Sequence, residues 1–155
     1  RDSTSAAQAL QAIAQSRAAF ISRGDDSGTH KKELSLWYGS GVDLAKESGS
    51  WYRESGSGMG ATLNMASGMS AYTLTDRATW ISLKNKGDLK ILLEGDNALY
   101  NQYGIILVNP EKHANVTAAA GQEFIEWMTG AEGQSAIAAY QVDGQQLFYP
   151  NASSE

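Results

Sequence analysis

The residues best suited to chemistry lie in one stretch, FISRGDDSGTHKK at 20–32. Arg23 precedes a tight polar turn, and Ser27, Gly28 and Thr29 open what reads as a helix. The first turn of a helix carries backbone N–H groups with no intrahelical partner, and the helix dipole places partial positive charge there. A guanidinium and two hydroxyls added to those N–H groups make a socket for an anion. The expected ligand contacts are Arg23, Ser27, Gly28 and Thr29, with Asp25, Asp26, His30, Tyr72 and Arg77 as supporting residues. Simple capping of a helix by Asp26 or Ser27 would also explain Asp-Ser-Gly-Thr. An arginine just after a strand, with Gly28 permitting close backbone approach and Thr29 adding a donor, favours the socket.

Other chemistry fits the same residues poorly. The RGD tripeptide at 23–25 runs straight into the helix start, and three fixed residues occur often by chance. A nucleophilic serine at a sharp elbow needs glycine two positions to either side; around Ser27 those positions are Asp25 and Thr29. His30 lies in the same helix and is expected to face solvent or cap locally. Two histidines, no cysteine and no acidic loop of ligand spacing leave no metal set. The second glycine-rich run, SGSGMG at 55–60, lacks the strand and the GK[ST] of a phosphate loop. It reads as a flexible entry to a packed helix that borders the site.

The elements that position these residues alternate in type. AAQALQAIAQS predicts a helix over about 5–16, with Ser3 or Thr4 as cap. A short strand at 19–22 leads into the turn. A helix over about 28–39 follows, with Leu34, Trp37 and Tyr38 on its buried side and glycine at 39 and 41 to end it. Residues 42–57 are polar, anchored by Trp51 and Tyr52. Further helices are expected at 58–68, 77–84 (capped by Thr75 or Asp76), 116–129 and 132–140. Further strands are expected at 71–74, 89–94 and 103–108. Trp37, Trp80 and Trp127 fall on apolar helix faces and read as core. Phe124, Trp127 and Met128 form the face of the 116–129 helix, and Phe148 and Tyr149 dock the tail. Alternating strands and helices predict an α/β fold.

Length and composition set the class. The chain has 155 residues, 42% hydrophobic and 19% charged, enough for a globular core. A net charge of -5 without a basic patch argues against a nucleic-acid partner. No cysteine excludes disulfide and thiol chemistry. No apolar run reaches the roughly 20 residues of a membrane span. The sequence opens at once on what reads as a helix and not on a signal-peptide pattern, so the numbering is expected to begin inside a longer gene product.

Several long blocks carry a resemblance: SRGDDSGTHKKEL and LW within 22–37, the WY, E, G and GMGATLNMA positions within 51–66, AYTLTDRATW at 71–80, EGDNALYNQYGIILVNPEKH at 94–113, and GQQLFYPNA at 144–152. They resemble the tungstate-binding proteins of bacterial ABC importers, in the type II periplasmic substrate-binding superfamily. The Arg-x-Asp-x-Ser-Gly-Thr pattern is also similar to that of phosphate-binding relatives. The resemblance implies two α/β lobes joined by a hinge, with a mixed, mostly parallel sheet flanked by helices. It implies that Arg23 pairs with the oxyanion while Ser27, Gly28 and Thr29 add donors. It places residues 1–102 in the second lobe. It reads 103–155 as a return segment that contributes to a first lobe, which lies outside this chain or comes from another. It also implies an ABC permease as partner, a periplasmic or extracellular location, no cofactor and no enzymatic step.

The ligand's chemistry fits. Tungstate, molybdate and sulfate are fully ionised at neutral pH and only accept hydrogen bonds, so a socket of donors suits them. Phosphate keeps a proton near neutrality and gains from a carboxylate acceptor, which Asp25 or Asp26 could supply. Phosphate or sulfate binding, a phosphoryl-handling enzyme and a sensor domain are the alternatives. The two carboxylates are expected to cap the helix or orient Arg23 instead.

Overall fold

The computed structural model describes residues 5–152. It divides into two compact units, one running through Asn101 and the other beginning at Gln102.

The first unit is built around a three-residue strand, β1 (Phe20–Ser22), all of whose residues are buried. A strand buried on both faces is characteristic of parallel sheets covered by helices. β1 pairs in parallel with β2 (Tyr52–Glu54), Phe20 opposite Tyr52 and Ser22 opposite Glu54. On its other edge, Ile21 N–H donates to the Tyr72 carbonyl and Tyr72 N–H to the Ala19 carbonyl, both at 2.8 Å. Three stretches of chain thus lie side by side with β1 in the middle.

Successive residues of β1 face opposite ways. Phe20 enters one cluster with Leu10, Trp37, Trp51 and Tyr52; Ile21 enters another with Ala66 and Ala71. The first is an aromatic core. Phe20 meets Trp37 edge-on at 5.1 Å and stacks on Tyr52 at 5.9 Å. Such pairs add to the free energy of simple area burial.

Four helices belong to this unit: α1 (Ala6–Ser16), α2 (Gly28–Ser40), α3 (Met59–Gly68) and α4 (Arg77–Ser82). Helices α1 and α2 pack together, and α3 lies against β1. The Ser3 and Thr4 caps lie outside the described residues; Ser5 is the cap, accepting from the Gln8 N–H. Asp76 caps α4, and Gly41 closes α2 in the left-handed conformation glycine favours. The second unit holds α5 (Ala118–Thr129), α6 (Ala131–Ala139) and a hairpin of β3 (Gln141–Val142) with β4 (Gln145–Gln146). Gly133 lets α6 approach α5, since a Cβ there would fall 2.2 Å from the Trp127 carbonyl oxygen.

Several expectations are corrected. The 42–57 segment is not merely polar: it carries β2, chosen by pairing to β1 although Arg53 and Glu54 face solvent. The 89–94 and 103–108 runs form no strands. Among the described residues they have no partner strand, and a lone strand leaves its backbone groups unpaired. Leu92 and Ile106 stand exposed. On α2 the inward positions are His30, Glu33, Trp37 and Ser40, whereas Leu34 and Tyr38 face out. Trp80 is half-buried beneath Lys86, and Trp127 is exposed beside Phe124.

Trp37 is fully buried and Tyr38 is 88% exposed. Trp37→Ala is therefore expected to cost about 3–5 kcal/mol in urea denaturation. Tyr38→Ala is expected to stay within about 0.5 kcal/mol. Equal losses would contradict this assignment of the faces.

Candidate functional site

The chain leaves the core at Ser22 and must satisfy its polar groups at once. Arg23 does so with its own backbone: its carbonyl accepts from Ser55 Oγ at 3.1 Å and from the Ser57 N–H at 3.3 Å. Ser55 is held in turn by Thr62 Oγ1 at 2.8 Å and by the Ser57 N–H at 3.2 Å. The second glycine-rich loop thus grips the first. Gly24 follows with φ +61°, where a Cβ would fall 2.7 Å from Glu54 Cβ. Only glycine fits a left-handed position this crowded.

Asp25 binds both ways. One oxygen pairs with the Arg23 guanidinium and the other accepts from the Ser27 N–H at 3.3 Å. Hydrogen bonding from Ser27, then the Arg23 guanidinium, holds its carboxyl down at about 2. Asp26 also adopts a left-handed backbone, φ 59°, unusual for a residue other than glycine. Its side chain reaches Lys31 at the surface, 3.4 Å away, and does not cap the helix. Ser27 is the cap, its side chain accepting from the His30 N–H at 3.2 Å. Gly28 and Thr29 begin α2, and the space beside Gly28 is open, with nothing nearer a Cβ than Asn101 Nδ2 at 4.0 Å.

His30 departs from expectation. It is buried, and its Nδ1 accepts from the Asp26 N–H at 3.0 Å. A backbone N–H can only donate, so the neutral ring carries its proton on Nε2. Among the described residues, two buried side-chain polar atoms lack a hydrogen-bond partner: Arg23 Nε and His30 Nε2. Both are N–H donors, one at each end of the same turn. A buried donor with nothing to give to costs about 1–3 kcal/mol.

Tyr72 contributes its backbone to the sheet beside β1, while its side chain is 40% exposed. Arg77 opens α4 and pairs at the surface with Glu94 at 2.7 Å, not with a residue of the turn. Among the described residues no group of three or more His, Asp or Glu side chains is placed to hold a metal. Sequence reasoning overlooked Ser55, Ser57 and the need for Gly24. The SGSG run was the available signal, but nothing in it shows that it wraps the Arg23 carbonyl.

A buried parallel strand that runs into Arg23 beside a helix N-terminus, with helices packed around it, is an α/β arrangement. Residues 1–132 match the family described as a PBP superfamily domain, and the chain belongs to that superfamily. It is 46% identical over 147 residues to the tungstate-binding protein TupA of Peptoclostridium acidaminophilum, covering 94% of this chain and 50% of that protein. Among solved structures it resembles the tungstate-binding protein TupA of Desulfovibrio alaskensis G20. There the TM-score is 0.78 at 41% identity, covering 96% of this chain and 61% of the other. The tungstate ABC transporter structure from Geobacter sulfurreducens gives a TM-score of 0.78 at 47% identity, over 90% of this chain and 58% of that one. The family resemblance carried by the motif blocks is borne out. The chain spans 50% of the first of these relatives and 61% of the second.

The turn yields two expected outcomes. Gly24→Ala should destabilise by about 1–3 kcal/mol, read by urea denaturation, because the new Cβ meets Glu54 in a left-handed backbone. Asp25 has a lowered carboxyl pKa, so its stabilising contribution is present above the ordinary value of 3.8 and lost as pH falls through about 2. The melting-temperature gap between wild type and Asp25→Asn should hold steady above pH 4 and close on acidification towards pH 2. A gap independent of pH would contradict the pairing.

Proposed function

We propose that this chain carries the oxyanion-binding lobe of a solute-binding subunit of an ABC importer, with tungstate first and molybdate next. The observation that carries this reading is the pair of buried, unpartnered N–H donors, Arg23 Nε and His30 Nε2. An acceptor-only oxyanion is the chemical complement of such donors. The N–H groups of Gly28 and Thr29 at the start of α2, with the helix dipole behind them, add to the same field. The names of the relatives support tungstate. Both Asp25 oxygens are engaged, one by Arg23 and one by Ser27. Asp25 is thus spent within the turn, and Asp26 reaches Lys31 at the surface instead, which weighs against phosphate. Binding, not turnover, is the expected activity, and no cofactor is invoked.

The facing half of the site belongs, in this reading, to a first lobe, and the oxyanion is held by closure of two lobes. Residues 1–102 are the second lobe. Residues 103–155 are the return segment, which packs with the first. The exposure of Ile106, Val108, Phe124 and Trp127 within the second unit supports that reading, since large exposed apolar groups mark interaction surfaces. No helix among the described residues is long and apolar enough to cross a membrane. A permease partner and a periplasmic or extracellular location follow from this reading.

Titration calorimetry with tungstate, molybdate, sulfate and phosphate tests it, on this chain and on the longer protein with both lobes. Charge-assisted hydrogen bonds are worth about 1.5–3 kcal/mol each. Arg23→Ala should therefore weaken tungstate at least a hundredfold, and His30→Phe about tenfold or more. Turnover of a phosphoester without tight oxyanion binding, or an Arg23→Ala protein that binds as the wild type does, would sink the reading.

A further inference from the structure

Behind the turn lies a buried acid with no place in the ligand contacts described so far. Glu33 is 2% exposed, one helical turn beyond His30 on α2. Its carboxylate accepts three hydrogen bonds: from Ser22 Oγ at 2.8 Å, from Tyr52 Oη at 2.8 Å, and from Trp37 Nε1 at 3.1 Å. The donors come from the last residue of β1, from the paired strand β2, and from the next turn of α2 itself. Burial pushes the Glu33 carboxyl up, with the hydrogen bonds from Ser22, Tyr52 and Trp37 opposing. Burial likewise pushes the Tyr52 phenol up, beyond its ordinary range. A buried acid of this kind is costly unless fully bonded, and a hydrophobic residue would pack α2 against β1 without that cost.

We infer that Glu33 is the positioning residue of the oxyanion socket: its carboxylate locks the end of β1, which delivers Arg23, to the helix whose N-terminus supplies the remaining donors. This rests on the proposed oxyanion site and deepens it. Ser22 immediately precedes Arg23, and Glu33 lies six residues along the helix that Ser27 caps. The Ser22–Glu33 bond therefore closes a ring around the whole turn from Arg23 to His30. Tyr52 fixes the same carboxylate from β2, the strand whose Glu54 crowds Gly24. Trp37 bonds it from within α2 and spans no gap between elements. Removing the Ser22 or Glu33 end of the ring frees the turn; removing Trp37 Nε1 leaves the ring closed.

Hydrogen–deuterium exchange of the ligand-free protein reads the turn directly. Ser22→Ala and Glu33→Gln are expected to speed amide exchange in the 24–30 segment at least tenfold more than in α1, while Trp37→Phe, which also removes buried volume, changes the 24–30 segment and α1 alike, to within twofold of each other. Ser22→Ala removes one small hydroxyl and keeps the test valid if Glu33→Gln fails to fold. For Ser22→Ala, a speeding in 24–30 within twofold of that in α1, or an equal excess over α1 for Trp37→Phe, overturns the inference. Calorimetry with tungstate on the longer two-lobed protein gives the second readout. Ser22→Ala should weaken binding about tenfold while the protein stays fully folded at the titration temperature, and an unchanged affinity overturns the inference. Failure of the wild-type two-lobed protein to bind tungstate would overturn the proposed function instead, and the exchange comparison then decides on Glu33 by itself.

Discussion

The first unit depends on burying β1 on both faces at once. Three residues cannot do this with side chains alone; their backbone groups must also be paired while water is excluded. Phe20 N–H donates to the Trp51 carbonyl, Ile21 N–H to Tyr72, and the Ser22 carbonyl accepts from the Ser55 N–H at 2.9 Å. Each partner lies far along the chain, so the strand exists only once β2 and the 72 segment have come to it. The same constraint fixes where the site can be. Past Ser22 there is no further strand to pair with, and the chain must turn polar. The turn at Arg23 is the exit from a dry layer into a wet one.

Inside that exit the acceptors are used and donors are left over. Asp25 takes Arg23 and Ser27, Ser27 takes the His30 N–H, and His30 Nδ1 takes the Asp26 N–H. Each bond uses one donor and one acceptor, and among the described residues Arg23 Nε and His30 Nε2 are the buried side-chain donors left over. The donor character of the turn is then less a matter of net charge than of hydrogen-bond stoichiometry. A chain with a net charge of -5 can present such a turn because its carboxylates are either bonded within it or spread over the surface.

Much of this could be read from the residues. The helices announce themselves by spacing, and their ends by Ser27, Asp76 and Gly41, since caps act locally. Arg23, Asp25 and Ser27 sit where the motif placed them. What escaped was decided by distant partners. Tyr-Arg-Glu at 52–54 has no apolar alternation, and only pairing to β1 makes it a strand. Glu33 is bonded by Ser22 of β1, by Tyr52 of β2 and by Trp37 one turn along α2, and nothing in its neighbouring residues announces the two strand partners. His30 bonds locally, to the Asp26 N–H, but is buried and does not face solvent. Conversely, LKILLE and YGIILV read as strands because they are apolar, but apolarity supplies no ladder. Their outcome depends on whether a neighbour is present to pair with.

Arg23 is held at both ends: its carbonyl by Ser55 and Ser57, its guanidinium by Asp25. A free arginine samples many rotamers, and fixing one costs up to about 2 kcal/mol of side-chain entropy. Here that loss is taken when the protein folds, before any ligand arrives. The guanidinium is therefore already in place, and an anion that paired with it would meet no slow side-chain search.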